Sequence, residues 1–264
     1  MEDYTSNLEI LKSQWNEGIK YLENSNLKYN EISKLKKIEL FDRMFQVIDN
    51  CKELLITDTK NITYIYRAAS GKWDSIDRFI PKWEYASENR MNGSDKLYYY
   101  FGITYKKYSH DAIKCCLKEI RLKEDEATIC NFNLKDNLKI IDLTRLISPP
   151  RSDIDIEPFF RECIKKIGDT KLGIEFALSK IYFSMFSSSG AFTPIDKDAY
   201  SENEIIKLYK PFWTLTEYLE SLNFDGLIFN SSVYEDGKCL VIFNLNNAEA
   251  ISSSISYVNK SNYF

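Results

Sequence analysis

The chain is poor in histidine, the side chain most often used for proton transfer. One histidine, His110, occurs in 264 residues, so a pair of imidazoles working as acid and base is excluded. No carboxylate or thiol is arranged around His110 in the pattern a metal site requires. The six cysteines, Cys51, Cys115, Cys116, Cys130, Cys163 and Cys239, form no C-x-x-C pair, which argues against structural zinc and against a disulfide framework; no metal is expected. Cys115 and Cys116 near His110 suggest a thiol nucleophile, but KCCLKEI also reads as one helical face entering a core, where free cysteine acts as a small hydrophobe. No apolar run approaches the roughly 20 residues of a membrane-spanning helix, and the opening MEDYTSNLEILKSQ is acidic and polar, unlike a signal peptide, so a cytoplasmic location is expected. Positive charge is not in excess: 35 Lys and Arg stand against 39 Asp and Glu, a net charge of −4, which makes nucleic acid an unexpected partner. The basic cluster from Lys34 to Lys37 has Glu31 and Glu39 beside it and reads as a solvated face.

The chain is instead rich in apolar and charged residues, 44% and 28%, the balance of a globular protein able to bury a sizeable core. Residues 6–55 hold no proline and one glycine, and Leu8, Leu11, Trp15, Ile19 and Leu22, then Leu40, Phe41, Met44, Phe45 and Ile48, follow helical spacing. Beyond Ile62 come short β-rich runs, ITYIYRA, KLYYYFGIT, ATICNFNL and LKIIDLT, with helical pieces around residues 112–122 and 158–186. Two more strand-like runs, GLIFNSS and CLVIFNL, flank a turn at Tyr234-Glu235-Asp236-Gly237. The expectation is an α+β protein with a helical region at 1–58 and a mixed α+β domain at 59–264. The serine-rich SSSGAFTP at 187–194 reads as a surface loop inside that domain, because too little chain follows it to build a second core.

Polar residues recur at the ends of the apolar runs. Arg67 closes YIYR, Arg90 precedes LYYYFG, Tyr100 lies within it, Glu119 sits in CCLKEIR, and Ser231 and Ser232 end GLIFNSS. Each has a plain account: ion-paired arginines, a core tyrosine, the exposed face of a helix, an ordinary loop. Together they could also converge on one pocket, since strand ends are where a rigid scaffold presents polar groups to ligands.

Their order resembles the RES family, named for its arginine, glutamate and serine. That family has an early YR, an F-x-P, a GR(F/W)N segment leading into LY, an AxxE helix, a DL strand and a GxDGIxYPSS ending followed by LVLF. Here YRAAS, FIP, RMN, LKEIR, LKIIDLT, NFDGLIFNSS and VIFN succeed one another over residues 60–245. Asn89 stands for the usual glycine, Met91 for the aromatic and Asn230 for the proline, and the segment between Tyr100 and Glu119 is longer. The resemblance implies a core like that of ADP-ribosyltransferases and cleavage of the nicotinamide–ribose bond of NAD+ by a toxin. It assigns catalysis to Glu119, Arg67 and Tyr100, and nucleotide binding to Arg67, Arg90, Asn92, Tyr100, Ser231 and Ser232. It implies no cofactor beyond NAD+ as substrate, with inorganic phosphate as a co-substrate of phosphorolysis. The partner it implies is an Xre-type helix-turn-helix antitoxin, to which the N-terminal helices could bind; those helices could equally serve self-association or sensing in phage defence. ADP-ribosyl transfer to a macromolecule, a non-catalytic nucleotide-binding module and an RNase-like toxin are the competing readings.

Overall fold

The computed structural model describes residues 2–86, 88–147, 156–187, 195 and 199–264. Residues 188–194, most of the expected serine-rich loop, lie outside them. The chain forms two compact units, one of residues 1–55 with 145–222, the other of residues 56–144 with 223–264.

The first unit is helical. It contains α1 (Glu2–Asn24), α2 (Glu39–Asn50), α4 (Ile156–Ile167), α5 (Thr170–Phe186) and α6 (Glu202–Ser221). Trp15 and Phe41 stack with centroids 4.8 Å apart, Phe45 stacks on Tyr218 at 4.3 Å, and Phe186 meets Phe212 at 5.2 Å. These contacts explain why the units do not divide the chain at residue 58. The apolar stripes of α1 and α2 find their partners on α5 and α6, and burial of aromatic surface outweighs proximity in sequence. Ser201 starts α6 with a capping box to Glu204, which supplies acceptors for its first free N–H groups. The Lys34–Lys37 cluster lies in 3-10 turns rather than an α-helix, with its lysines exposed.

The second unit is α+β. Its nine-stranded sheet runs β1 (Ile56–Thr57), β5 (Ile140–Asp142), β6 (Gly226–Asn230), β7 (Lys238–Ile242), β3 (Tyr99–Thr104), β2 (Tyr64–Ser70), β4 (Glu126–Leu134), β8 (Ala248–Ala250), with β9 (Ser256–Asn259) also on β4. Only the β5–β6 pair is parallel. All six β-rich runs of the sequence become strands; the short β1, β8 and β9 had no such signal.

The sheet has two distinct faces. Ile65, Phe101, Ile103, Cys130, Phe132, Ile228, Leu240 and Ile242 form the core on one of them. On the other, Tyr66 and Ala68 pack under α3 (His110–Glu119), with Ile113, Leu117 and Ile129. Gly102 makes this close approach available: a Cβ there would lie 2.4 Å from the Ala112 carbonyl oxygen and 2.6 Å from Cys116 Sγ.

Candidate active site

α3 delivers Glu119 from its last turn, and β6 delivers Ser231 from just beyond its end. The Ser231 hydroxyl donates to Glu119 Oε1 at 2.7 Å, joining residues 112 apart in sequence. Ser231 is buried, and its Oγ also accepts from the backbone N–H groups of Val233 and Tyr234 at 3.2 and 3.1 Å. The paired serines after the strand therefore do more than end it: the first closes the turn and fixes a carboxylate. Ser232 follows in the same turn, half-buried. Tyr234 anchors the turn to the start of α3 by donating to Asp111 Oδ1 at 3.2 Å. The Asp111 carboxylate also meets Lys106 Nζ at 2.5 Å, and this ammonium is the main cause that holds its pKa below the ordinary aspartate value. Glu119 itself is exposed, so its carboxylate is both oriented and accessible.

β7 brings a third group to Glu119. Cys239 pairs with Gly102 in register, which places it on the α3 face, and its thiol lies 3.3 Å from Glu119 Oε1 and 3.7 Å from Cys115 Sγ. Cys115, Glu119 and Cys239 thus gather three ligand-capable atoms within 4.8 Å of one another. Sequence spacing shows two of its three members, the i, i+4 pair of Cys115 and Glu119; Cys239 arrives from a strand far along the chain. The neighbouring Cys116 is built into the scaffold between α3 and the sheet. It is buried, donates to the Tyr66 carbonyl at 2.8 Å and accepts from Gly102 N–H at 3.1 Å, and burial raises its thiol well above the ordinary range. His110 stacks on Tyr263 with centroids 5.0 Å apart.

Tyr100 lies on the same face by alternation from Gly102, opposite Val241 and diagonal to Cys239. Its hydroxyl donates to Asn92 Oδ1 at 2.6 Å and accepts from Met91 N–H at 3.2 Å. Asn92 is buried, and its Nδ2 donates to the carbonyls of Gly93 and Lys96, both at 2.8 Å. A two-way backbone bridge between Asn89 and Asn92 completes the turn, leaving Arg90 half-buried at its tip. Asn92 and the Tyr100 hydroxyl therefore hold Arg90's turn to β3.

Arg67 does not join this group. On β2 it pairs with Cys130, a member of the core on the opposite face, whereas its neighbours Tyr66 and Ala68 face α3. Strand alternation directs Arg67 to the face of the sheet opposite Tyr66 and Ala68, away from the α3 side that carries Glu119 and Ser231. Its guanidinium donates to the Phe79 carbonyl and lies 5.5 Å from the centroid of the Tyr99 ring. Burial is the main cause lowering its pKa to about 10, partly offset by Tyr99, and the group stays charged at neutral pH.

One polar network was not singled out from sequence. The buried Asp142, at the end of β5, accepts from the Thr144 backbone N–H at 3.0 Å and the Thr144 hydroxyl at 2.5 Å, and from Tyr105 at 3.3 Å; Lys238 Nζ in turn lies 2.7 Å from Thr144 Oγ1. The LKIIDLT run carried the signal, a charged residue ending an apolar strand.

No family model and no curated protein matches the chain. Among solved structures it is similar to the crystal structure of the M. tuberculosis MbcT–MbcA toxin–antitoxin complex, with 11% identity and a TM-score of 0.37 over 83% of this chain and 93% of that one. A likeness so slight carries no function. Among the described residues, no helix is long and apolar enough to cross a membrane.

Proposed function

We propose that the protein cleaves the nicotinamide–ribose bond of NAD+, transferring the ADP-ribosyl group to water or to inorganic phosphate, and acts as a toxin or defence effector. The observation that carries this reading is the Ser231–Glu119 hydrogen bond, which fixes an accessible carboxylate beside a tyrosine-bearing strand. The ordered RES-like segments of the sequence supply the substrate class.

The chemistry asks little of the protein in proton transfer. Nicotinamide departs from a cationic pyridinium as a neutral molecule, so the C–N electron pair leaves with it and no general acid is needed. Positive charge develops on the ribose, and the Glu119 carboxylate stabilises it as it forms. Ser231 holds that carboxylate in place, so it does not have to be ordered during the reaction. Water then yields ADP-ribose and a proton, whereas phosphate yields ADP-ribose-1-phosphate. Arg90, carried on the turn that Asn92 and Tyr100 hold, is the guanidinium we assign to the pyrophosphate. Arg67 enters through the scaffold, tying β2 to the Phe79 carbonyl. In this reading the toxin works in the cytoplasm, alone or as a homo-oligomer, and an Xre-type antitoxin or another inhibitory or sensor protein restrains it.

The test is incubation of the purified chain with NAD+, with and without phosphate, followed by identification of products. Release of nicotinamide with ADP-ribose or its 1-phosphate is expected. NAD+ binding without release would favour a nucleotide-binding module, and label appearing on a macromolecule would favour an ADP-ribosyltransferase.

A further inference from the structure

We propose that Cys115, Cys239 and Glu119 form a binding site for a zinc-like divalent cation, and that filling it withdraws Glu119 from the chemistry proposed above. The regulatory half rests on the NAD+ reading; the binding site does not.

The geometry is the argument. Tetrahedral zinc with metal–sulfur bonds of about 2.3 Å and a metal–oxygen bond of about 2.0 Å has a sulfur–sulfur edge near ~3.8 Å and a sulfur–oxygen edge near ~3.5 Å. The observed separations are 3.7 Å between Cys115 Sγ and Cys239 Sγ and 3.3 Å between Cys239 Sγ and Glu119 Oε1. The remaining pair, Cys115 Sγ and a Glu119 carboxylate oxygen, lies within 4.8 Å. Cys115 and Glu119 stand one turn apart on α3, and Cys239 rises from the strand beneath, so two rigid elements hold the donors.

Donor chemistry selects the ion. Two thiolates and one carboxylate suit zinc and its thiophilic relatives rather than magnesium or calcium, which prefer oxygen. The Ser231 hydroxyl on Glu119 Oε1 plays the orienting part that partners of ligating carboxylates usually play. Both cysteines are buried while Glu119 is exposed, so the fourth position opens toward solvent. Binding replaces the two thiol protons, which are released to solvent. The carboxylate oxygen is then a metal ligand and no longer offers a free anion to the ribose.

Cobalt(II) is the probe, titrated into the reduced full-length chain after chelator treatment. A thiolate-to-cobalt charge-transfer band with tetrahedral visible bands should saturate at one equivalent, and zinc should displace it. The band should vanish in the Cys115→Ala and Cys239→Ala variants. The cadmium-113 resonance of the native chain, at the position of a two-thiolate site, makes the same test if either variant fails to fold. Absence of the band and of that resonance, or a band that persists in the double variant, overturns the site, as does a native chain that only forms a Cys115–Cys239 disulfide. Nicotinamide release should be at least tenfold slower with zinc than with chelator. Cobalt bands together with undiminished release would overturn the regulatory half. No release even with chelator would count against the NAD+ reading, leaving the spectra to decide the metal site.

Discussion

Replacing Glu119 with glutamine separates chemistry from scaffold. Glutamine keeps the length of the side chain and retains a carbonyl oxygen for the Ser231 hydroxyl, which now lies 2.7 Å from Glu119 Oε1. A hydrogen bond to a charged group is worth about 1.5–3 kcal/mol and one between neutral groups about 0.5–1.5 kcal/mol, so the exchange costs about 1–1.5 kcal/mol. That is an upper figure, because Glu119 is exposed and water competes for it. In a chain of this size such a loss lowers the melting temperature by roughly 2–4 °C. The transition-state effect is larger: losing one preorganised electrostatic contact lowers turnover roughly 100-fold, about 2.7 kcal/mol of barrier. NAD+ affinity should change little, since the carboxylate acts on charge that appears only as the bond breaks. Nicotinamide release under saturating NAD+, equilibrium NAD+ binding and thermal melting are the three measurements. A variant that turns over like the parent refutes the assignment of Glu119, and one whose activity falls only in step with its folded fraction refutes the catalytic role in favour of a structural one.

Tyr100→Phe removes a hydroxyl that both donates to Asn92 and accepts from Met91, so it should destabilise the protein by about 1–3 kcal/mol and raise KM for NAD+ more than it lowers kcat; an unchanged KM would detach the Arg90 turn from binding. Arg90→Lys keeps the charge but loses the planar fork, and NAD+ affinity should fall about tenfold. Arg67→Lys should instead lower the melting temperature with NAD+ affinity retained, because its guanidinium faces the core; weakened binding by a fully folded Arg67→Lys would place the nucleotide on the other face of the sheet. Gly102→Ala drives a methyl against the Ala112 carbonyl and Cys116 beneath α3, and should cost about 1–3 kcal/mol in denaturant unfolding; full stability would show that α3 does not seat on the sheet as described.

Local pattern settled which segments became helices and strands. Trp15, Ile19 and Leu22 recur at helical spacing, and the runs around Tyr64–Ser70, Tyr99–Thr104 and Gly226–Asn230 are too apolar and too short to be much else. Glu119 and Ser231 could be chosen as candidates because each is a polar residue at the end of an apolar element, a property visible in one dimension. Their partnership could not be read, because it spans 112 residues and depends on how the end of β6 meets α3. The same limit hid Cys239 beside Cys115, a pairing made by a strand register and a helix turn that share no local signal. Arg67 could be chosen because it closes an apolar run, but a period of two along β2 assigns adjacent residues to opposite faces, and only the pairing with Cys130 shows which face Arg67 received. The grouping of α1 and α2 with α5 and α6 was likewise decided in three dimensions. An apolar stripe states that a helix must be covered, and the shapes of Phe41, Phe45, Phe186 and Tyr218 state by what.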